Sequence, residues 1–356
     1  MSGNQKRALI IGICAALVLA AVVGLGIYFA IDRAGEASPV ELADVSSPTG
    51  ILEYVKAEEL DLAKYKDRFA GKTEAAATEL IEIPRKNADV LNVLAICADV
   101  QNGNTVADML IVMSCNTKTG EIRMLSLGGD TYVPIQGHGW DKLCMTLAYG
   151  GPALAVNTVN LVFDLDIAQY AVLNKSDITG FFEKVAPLDV EMTVQQAEIY
   201  GSYYAWDVHP GLNTLDAGQL TSMVSLRDYQ DGVGVSGGTM MVTDQERMDS
   251  IKMVARAVFY SLCRLDKDTL GATLDVMWNK LDTNSDLQTV KDGLQTAIRA
   301  KGQDEFPLDA TSLPSLGQQT YVVVQPEGYG EPAMATLYNY VTLRNQISYY
   351  LYGTTK

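Results

Sequence analysis

The sequence predicts an α/β fold in which a mixed central sheet lies between helices, an α/β/α sandwich, preceded by one N-terminal transmembrane helix. Two observations predict the sandwich. Compact apolar runs of strand length follow residue 90, and segments with helical periodicity alternate with them. The composition agrees, because 48% hydrophobic and only 20% charged residues can build a substantial core.

Residues 8–31 are predicted to anchor the chain in a membrane. They carry no charge and would span about 36 Å at roughly 1.5 Å per residue, enough to cross a hydrocarbon core of about 30 Å. A cleaved signal peptide is the alternative, but its apolar core usually runs only about 7–15 residues. Lys6 and Arg7 precede the helix, which predicts a cytoplasmic N-terminus and an extracellular C-terminal domain. We therefore expect a single-pass protein of the cell membrane.

The chain is acidic, with a formal net charge of −16. Such a domain repels nucleic acid, whose binding requires clustered Lys and Arg side chains, so nucleic acid is excluded as a partner. Beyond the anchor, Cys97, Cys115, Cys144 and Cys263 are scattered and lack the paired spacing of a zinc site. Free thiols and a single disulfide both fit this spacing.

The strands of the core are predicted to begin near residue 91. Residues 91–97, 108–115 and 121–127 are apolar runs, and the Asn- and Gly-containing segment 116–120 predicts a hairpin between the second and the third. The near-continuous apolar character of the runs indicates a sheet that is buried on both faces.

Helices and further strands follow these runs. Pro152 is predicted to begin a helix, since its missing N–H costs little in the first turn, and Ser176 to cap the next one. Capping boxes predict helices that start at Asp216 and Thr243. Strands are predicted over 168–174, 188–194 and 320–325, and a final helix over 332–351.

The predicted organisation has five segments. They are a cytoplasmic N-terminus (1–7), the transmembrane anchor (8–31), a spacer and helical stalk (32–89), the main domain (90–265), and C-terminal helices and a strand that pack on the same domain (266–356).

Three aspartates lie at the ends of predicted strands. Asp99 follows the first strand, Asp108 begins the second, and Asp130 follows the third. The end of one strand lies beside the start of its antiparallel neighbour, so these carboxylates are candidates to converge on a hard cation such as Mg²⁺. Strand-end aspartates are also common turn formers, so both interpretations stay open.

Residues 90–265 resemble the LytR–CpsA–Psr family. The resemblance is carried, in order, by segments 92–99, 107–108, 116–119, LSLGGDTYV (125–133), 141–143, AYGGP (148–152) and 209–219. It implies a phosphotransferase that moves an anionic glycopolymer from a polyprenyl-pyrophosphate carrier onto cell-wall peptidoglycan at the membrane surface. It also implies site roles: Mg²⁺ on Asp99 and Asp108, pyrophosphate on Lys142, Arg227 and Arg247, and catalysis by Asp130.

The chain departs from the family pattern mainly at arginines. Five positions where the family has a guanidinium carry other residues, namely Gln101, Val106, Gly129, Ser225 and Asp244. Each lost hydrogen bond to a charged group would cost roughly 1.5–3 kcal/mol. Two hypotheses follow: a divergent phosphotransferase, or a non-catalytic relative that binds polyprenyl lipid, wall polymer or a partner protein.

Overall fold

The computed structural model describes residues 79–225, 244–286, 308–313, 319–324 and 333–353, except 82, 102, 117, 118, 120 and 339. The predicted anchor and most of the predicted spacer and stalk lie outside these residues. Within them, no helix has the length and the apolar character needed to span a bilayer.

The strands of the described part are numbered in chain order. They are β1 (Val90–Gln101), β2 (Asn104–Asn116), β3 (Ile122–Leu127), β4 (Tyr132–Ile135), β5 (Gly139–Lys142), β6 (Gln169–Asn174), β7 (Leu188–Met192), β8 (Gly211–Leu215), β9 (Leu281–Thr283), β10 (Leu308–Leu313), β11 (Gln319–Val324) and β12 (Ala333–Tyr338).

The helices of the described part are numbered in the same way. They are α1 (Thr146–Phe163), α2 (Lys175–Val185), α3 (Val194–Tyr204), α4 (Ala217–Ser225), α5 (Asp244–Cys263), α6 (Lys267–Trp278) and α7 (Tyr340–Tyr352).

A mixed central sheet of six strands, in the order β10-β3-β2-β1-β6-β9, organises the described part. β1 is antiparallel to β2 and parallel to β6. β2 and β3 form the predicted hairpin, and β10 adds to β3 in the parallel direction. The predicted mixed sheet is therefore confirmed.

Helices pack on both faces of this sheet. On one face, side chains of α2 to α6 such as Phe182 surround Cys97 and its neighbours. On the other face, α1 and α7 contribute residues such as Tyr340 to a core around Ile96. Because successive side chains of a strand point to opposite faces, a strand covered on both sides must be apolar throughout. This explains the near-continuous apolar runs in the sequence.

Two predicted helix starts are confirmed. In α1, one turn is interrupted at Gly150 and Gly151, and regular helix resumes at Pro152. Gly151 has φ +67°, which favours glycine. At α4, the Gln219 N–H donates to Oδ1 of Asp216 (2.8 Å) and the Asp216 N–H donates to Oε1 of Gln219 (3.0 Å), a complete capping box. The other predicted box, at Thr243, lies outside the described residues.

Other local predictions are wrong in the bounds or in the type of an element. α2 begins at Lys175 with Asn174 as its N-cap, two residues before the predicted cap Ser176. Residues 333–338, predicted as helix, form β12 because β11 supplies an antiparallel partner. The predicted strand 188–194 ends at Met192, since Thr193 and Gln196 form a capping box that starts α3.

Candidate functional site at one end of the sheet

All but one of the predicted site residues are described, and each contacts an oppositely charged side chain. Arg227 is the exception and lies outside the described residues. The contacts form three ion pairs: Asp99 with Lys175, Asp108 with Arg247, and Asp130 with Lys142.

A β-bulge sets the direction of the Asp108 side chain. Cys97 pairs with Met109 and Ala98 with Ala107, so Asp108 is the extra residue of β2. Ala107 and Met109 consequently pack in cores on opposite faces of the sheet, although they are only two positions apart. Bulges of this kind re-aim a side chain and are frequent beside active sites.

Arg247 reaches Asp108 from the first turn of α5. Its Nη2 lies 3.8 Å from Oδ2 of Asp108, and the two side chains are only 5% and 2% exposed. One turn later, the hydroxyls of Ser250 and Tyr200 lie 2.9 Å apart, which ties α5 to α3. Burial raises the pKa of Tyr200, so its hydroxyl stays protonated and donates to the carbonyl of Met223 (2.9 Å). The guanidinium is therefore held in place by a packed helix.

Lys175 is a site residue that the sequence analysis missed. β6 runs parallel to β1 and pairs Asn174 with Ala98, so the next residues, Lys175 and Asp99, are neighbours. Nζ of Lys175 lies 2.9 Å from Oδ2 of Asp99, and the lysine is buried. The available signal was a charge directly after an apolar strand, but the pairing of β6 with β1 is not visible in the sequence.

The two buried ion pairs share Cys97 as a neighbour. Burial raises the pKa of the Cys97 thiol and the Asp108 carboxylate raises it further, whereas Arg247 and Lys175 lower it. A protonated thiol without access to solvent is a poor nucleophile. We refer to Asp99, Asp108, Lys175 and Arg247, which all act on this sulfur, as the four-charge cluster.

The third pair is open to solvent on the Asp130 side, whereas the Lys142 side chain is only 14% exposed. Asp130 lies in the turn after β3, Lys142 ends β5, and Nζ of Lys142 lies 2.6 Å from Oδ1 of Asp130. The Asp130 side chain is 52% exposed, although its carbonyl accepts a hydrogen bond from the Thr336 N–H (2.8 Å). The backbone is thus fixed while the carboxylate faces solvent.

Gly129 brings the Asp130 turn against the strand that carries Asp108. A Cβ built on Gly129 would lie 3.4 Å from the carbonyl oxygen of Ala107 and 3.4 Å from Cβ of Cys144. The end of β1, the start of β2 and the end of β3 therefore meet at one end of the sheet, as the sequence predicts for the three aspartates. What the sequence does not show is that each of them is ion-paired. Asp108 lies in the interior, Asp99 is partly exposed, and Asp130 is half exposed.

A second network, made of hydrogen bonds to Asp141, supports Lys142 and was not predicted from the sequence. The buried carboxylate of Asp141 accepts hydrogen bonds from the Lys142 N–H (2.7 Å) and from the hydroxyl of Tyr149. His138 stacks on Tyr149, with ring centroids 4.3 Å apart. Asp141 thus ties the end of β5 to α1 and fixes the backbone of Lys142.

The predicted Mg²⁺ ligands already have cationic partners in this arrangement. Asp99 contacts the Lys175 ammonium and Asp108 contacts the Arg247 guanidinium. Across the described ranges, no group of three or more His, Cys, Asp or Glu side chains is placed to hold a metal ion. A metal ion on these carboxylates would lie beside two like charges, so the donor set shown does not fit one. The Mg²⁺ site stays a prediction.

Comparison with known protein families identifies the chain. The model of the LytR_cpsA_psr family matches residues 54–330. The chain belongs to this family. The LytR_cpsA_psr match extends on both sides of the range 90–265 that the motifs cover, and it confirms the resemblance seen in the sequence.

Curated LytR_cpsA_psr relatives are named as transferases. The polyisoprenyl-teichoic acid–peptidoglycan teichoic acid transferase TagU of Oceanobacillus iheyensis is 30% identical over 221 residues, which are 60% of this chain and 63% of that protein. The TagU of Halalkalibacterium halodurans is 23% identical over 326 residues, 91% of this chain and 94% of that protein. The chain thus spans less than two thirds of the first of these relatives.

A solved structure supports the fold. The Lin1025 protein from Listeria innocua superposes with a TM-score of 0.53 at 16% identity, covering 75% of this chain and all of that one. At this identity the likeness concerns the fold alone.

Proposed function

We propose that the chain is a membrane-anchored phosphotransferase that acts outside the cell. It would move an anionic glycopolymer from a polyprenyl-pyrophosphate carrier onto peptidoglycan. Family membership and the names of the curated relatives support this reaction class. The observation that carries the proposal is the Asp130–Lys142 pair, which lies at the same end of the sheet as the Asp108–Arg247 pair.

The Asp130–Lys142 pair offers both functions that the transfer requires. Lys142 would bind a phosphate oxygen, and Asp130, 2.6 Å away, would accept the proton of the attacking sugar hydroxyl. The hydroxyl oxygen forms a bond to the phosphorus that carries the glycan. The phosphoanhydride bond breaks, and polyprenyl phosphate leaves with the bonding electrons.

Arg247 would stabilise the negative charge that develops on the phosphates. Its guanidinium is fixed by α5 before substrate arrives, so no reorganisation is needed during the reaction. Arg227 is predicted to assist it. No step of this scheme passes through the predicted Mg²⁺.

A second candidate function is binding without transfer. It is favoured by the ion pairing of Asp99 and Asp108 within the protein, together with the five positions that lack an expected arginine. In that case the chain would hold the carrier lipid or the wall polymer without turning it over.

The test is a transfer assay with the full chain in detergent micelles. Labelled polyprenyl-pyrophosphate glycan and peptidoglycan are supplied, and both bound label and released polyprenyl phosphate are measured. Asp130→Asn should lower the rate about 10²-fold or more, the usual size of a lost general base.

Asp189→Asn is the matched control, because Asp189 is an exposed aspartate of β7 whose Oδ1 accepts from the Thr214 hydroxyl (2.8 Å) on the paired strand β8. Equal transfer rates for wild type and Asp130→Asn would rule out Asp130 as the general base. Wild-type chain that binds the donor and releases no polyprenyl phosphate would establish the second candidate instead.

A further inference from the structure

The charges of the four-charge cluster balance one another. Two carboxylates, Asp99 and Asp108, face two cations, Lys175 and Arg247, so the cluster has no formal net charge. A divalent cation on the two carboxylates alone would reach the same balance. In this structure, the side chains of Lys175 and Arg247 balance the charge of the two carboxylates.

We infer that the ammonium group of Lys175 serves in place of a divalent cation, so that the chain binds the pyrophosphate of its carrier lipid without a metal ion. This inference rests on the proposed function, since it concerns the same ligand.

The position of Lys175 is costly for a lysine, which argues against an incidental role. The residue is 5% exposed, and lysine is almost never fully buried unless it is paired. It is also the first residue of α2, where the helix dipole favours an anion over a cation. The Asp99 carboxylate, 2.9 Å from Nζ, offsets part of both costs.

The ammonium group also has the chemistry that a phosphate requires. A lysine Nζ is a compact point charge with three N–H donors and commonly binds phosphate oxygens. Lys175 lies at the end of the sheet that also carries Arg247 and the exposed pair. A pyrophosphate bound at this end of the sheet would be attracted by the positive charges of Arg247, Lys175 and Lys142.

A second ion pair on the same helix provides a matched control. Nζ of Lys280 lies 2.8 Å from Oδ1 of Asp177 in α2, nearly the same distance as in the Lys175 pair. Lys280 is 58% exposed, however, and lies outside the four-charge cluster. Lys280→Met therefore removes a comparable contact without touching the site.

The experiment measures binding of farnesyl pyrophosphate to the full chain in detergent micelles, in EDTA and in millimolar Mg²⁺. Wild type and Lys280→Met should bind in both buffers, with dissociation constants that differ less than about threefold between them. Lys175→Met should bind about tenfold or more weakly in EDTA, as expected when one charged hydrogen bond is lost. Mg²⁺ should restore part of that affinity.

Lys175→Arg keeps the charge and should still bind in EDTA, which covers the case in which Lys175→Met does not fold. Wild-type binding that requires Mg²⁺ would overturn the inference and leave the proposed function standing. Unchanged metal-free binding by folded Lys175→Met would also overturn it. Wild type that binds in neither buffer would overturn the proposed function itself.

Discussion

The two kinds of ion pair at the end of the sheet differ in what they contribute. The Asp108–Arg247 pair is almost fully buried, whereas the Asp130 side chain is 52% exposed. Breaking a buried pair leaves an uncompensated charge in the interior, while an exposed pair is screened by water and contributes little to stability. The buried charges therefore stabilise and orient the site, and the exposed pair can exchange partners during a reaction.

The largest predicted effect comes from breaking the most buried pair. Arg247→Met leaves the Asp108 carboxylate without its guanidinium and should lower the free energy of unfolding by about 3–5 kcal/mol, measured by urea denaturation. The double variant Arg247→Met with Asp108→Leu should recover most of this loss, since an apolar pair can replace a buried ion pair. A loss below about 1 kcal/mol in the single variant would contradict the description of this pair as buried.

A smaller loss is expected at the second buried pair. The Asp99 side chain is 23% exposed, so the unpaired ammonium left by Asp99→Asn can be hydrated in part. We expect a loss of about 1–3 kcal/mol in the same denaturation experiment. A loss as large as that of Arg247→Met would mean that solvent does not reach Lys175.

A new cation between the buried ion pairs and the Asp130–Lys142 pair should strengthen pyrophosphate binding. Gly129 lies between the buried and exposed pairs and its nearest contacts, at 3.4 Å, are ordinary ones for a Cβ. Gly129→Arg should therefore be accommodated and should tighten farnesyl pyrophosphate binding about tenfold. Gly129→Met controls for side-chain size. Equal affinity of the two variants would show that the added charge does not reach the phosphates.

The smallest stability effect is expected at the exposed pair. Lys142→Met should change the free energy of unfolding by less than about 1 kcal/mol, and raising the salt concentration to about 1 M should abolish even this difference. The transfer rate should nevertheless fall, because the phosphate loses a cation. A stability loss that does not depend on salt would show that the Asp130–Lys142 pair is shielded from solvent, as the buried pairs are.

Local signals were sufficient to predict the strands that carry the site. The apolar runs, the hairpin between β2 and β3, and the aspartates at the strand ends all follow from short stretches of sequence. Their meeting at one end of the sheet follows from antiparallel pairing.

The rest depends on contacts between distant segments. Lys175 joins Asp99 only because β6 pairs with β1 in one register, and Asp141 meets Tyr149 only once α1 folds back on β5. A bulge likewise depends on how two strands pair, so the sequence of either strand alone does not reveal it. The role of Arg227 stays a prediction.

The bulge at Asp108 shifts by one residue the alternation of β2 side chains between the two faces of the sheet. Up to Ala107 the odd-numbered positions of β2 face α1 and α7, and from Met109 onward they face the opposite layer. One inserted residue thus allows a strand to be apolar on both sides and still present a carboxylate to α5. Deleting a residue from the 104–107 stretch would remove the bulge, so that Asp108 would pair with Ala98 and its carboxylate would point towards α1 and α7, away from α5.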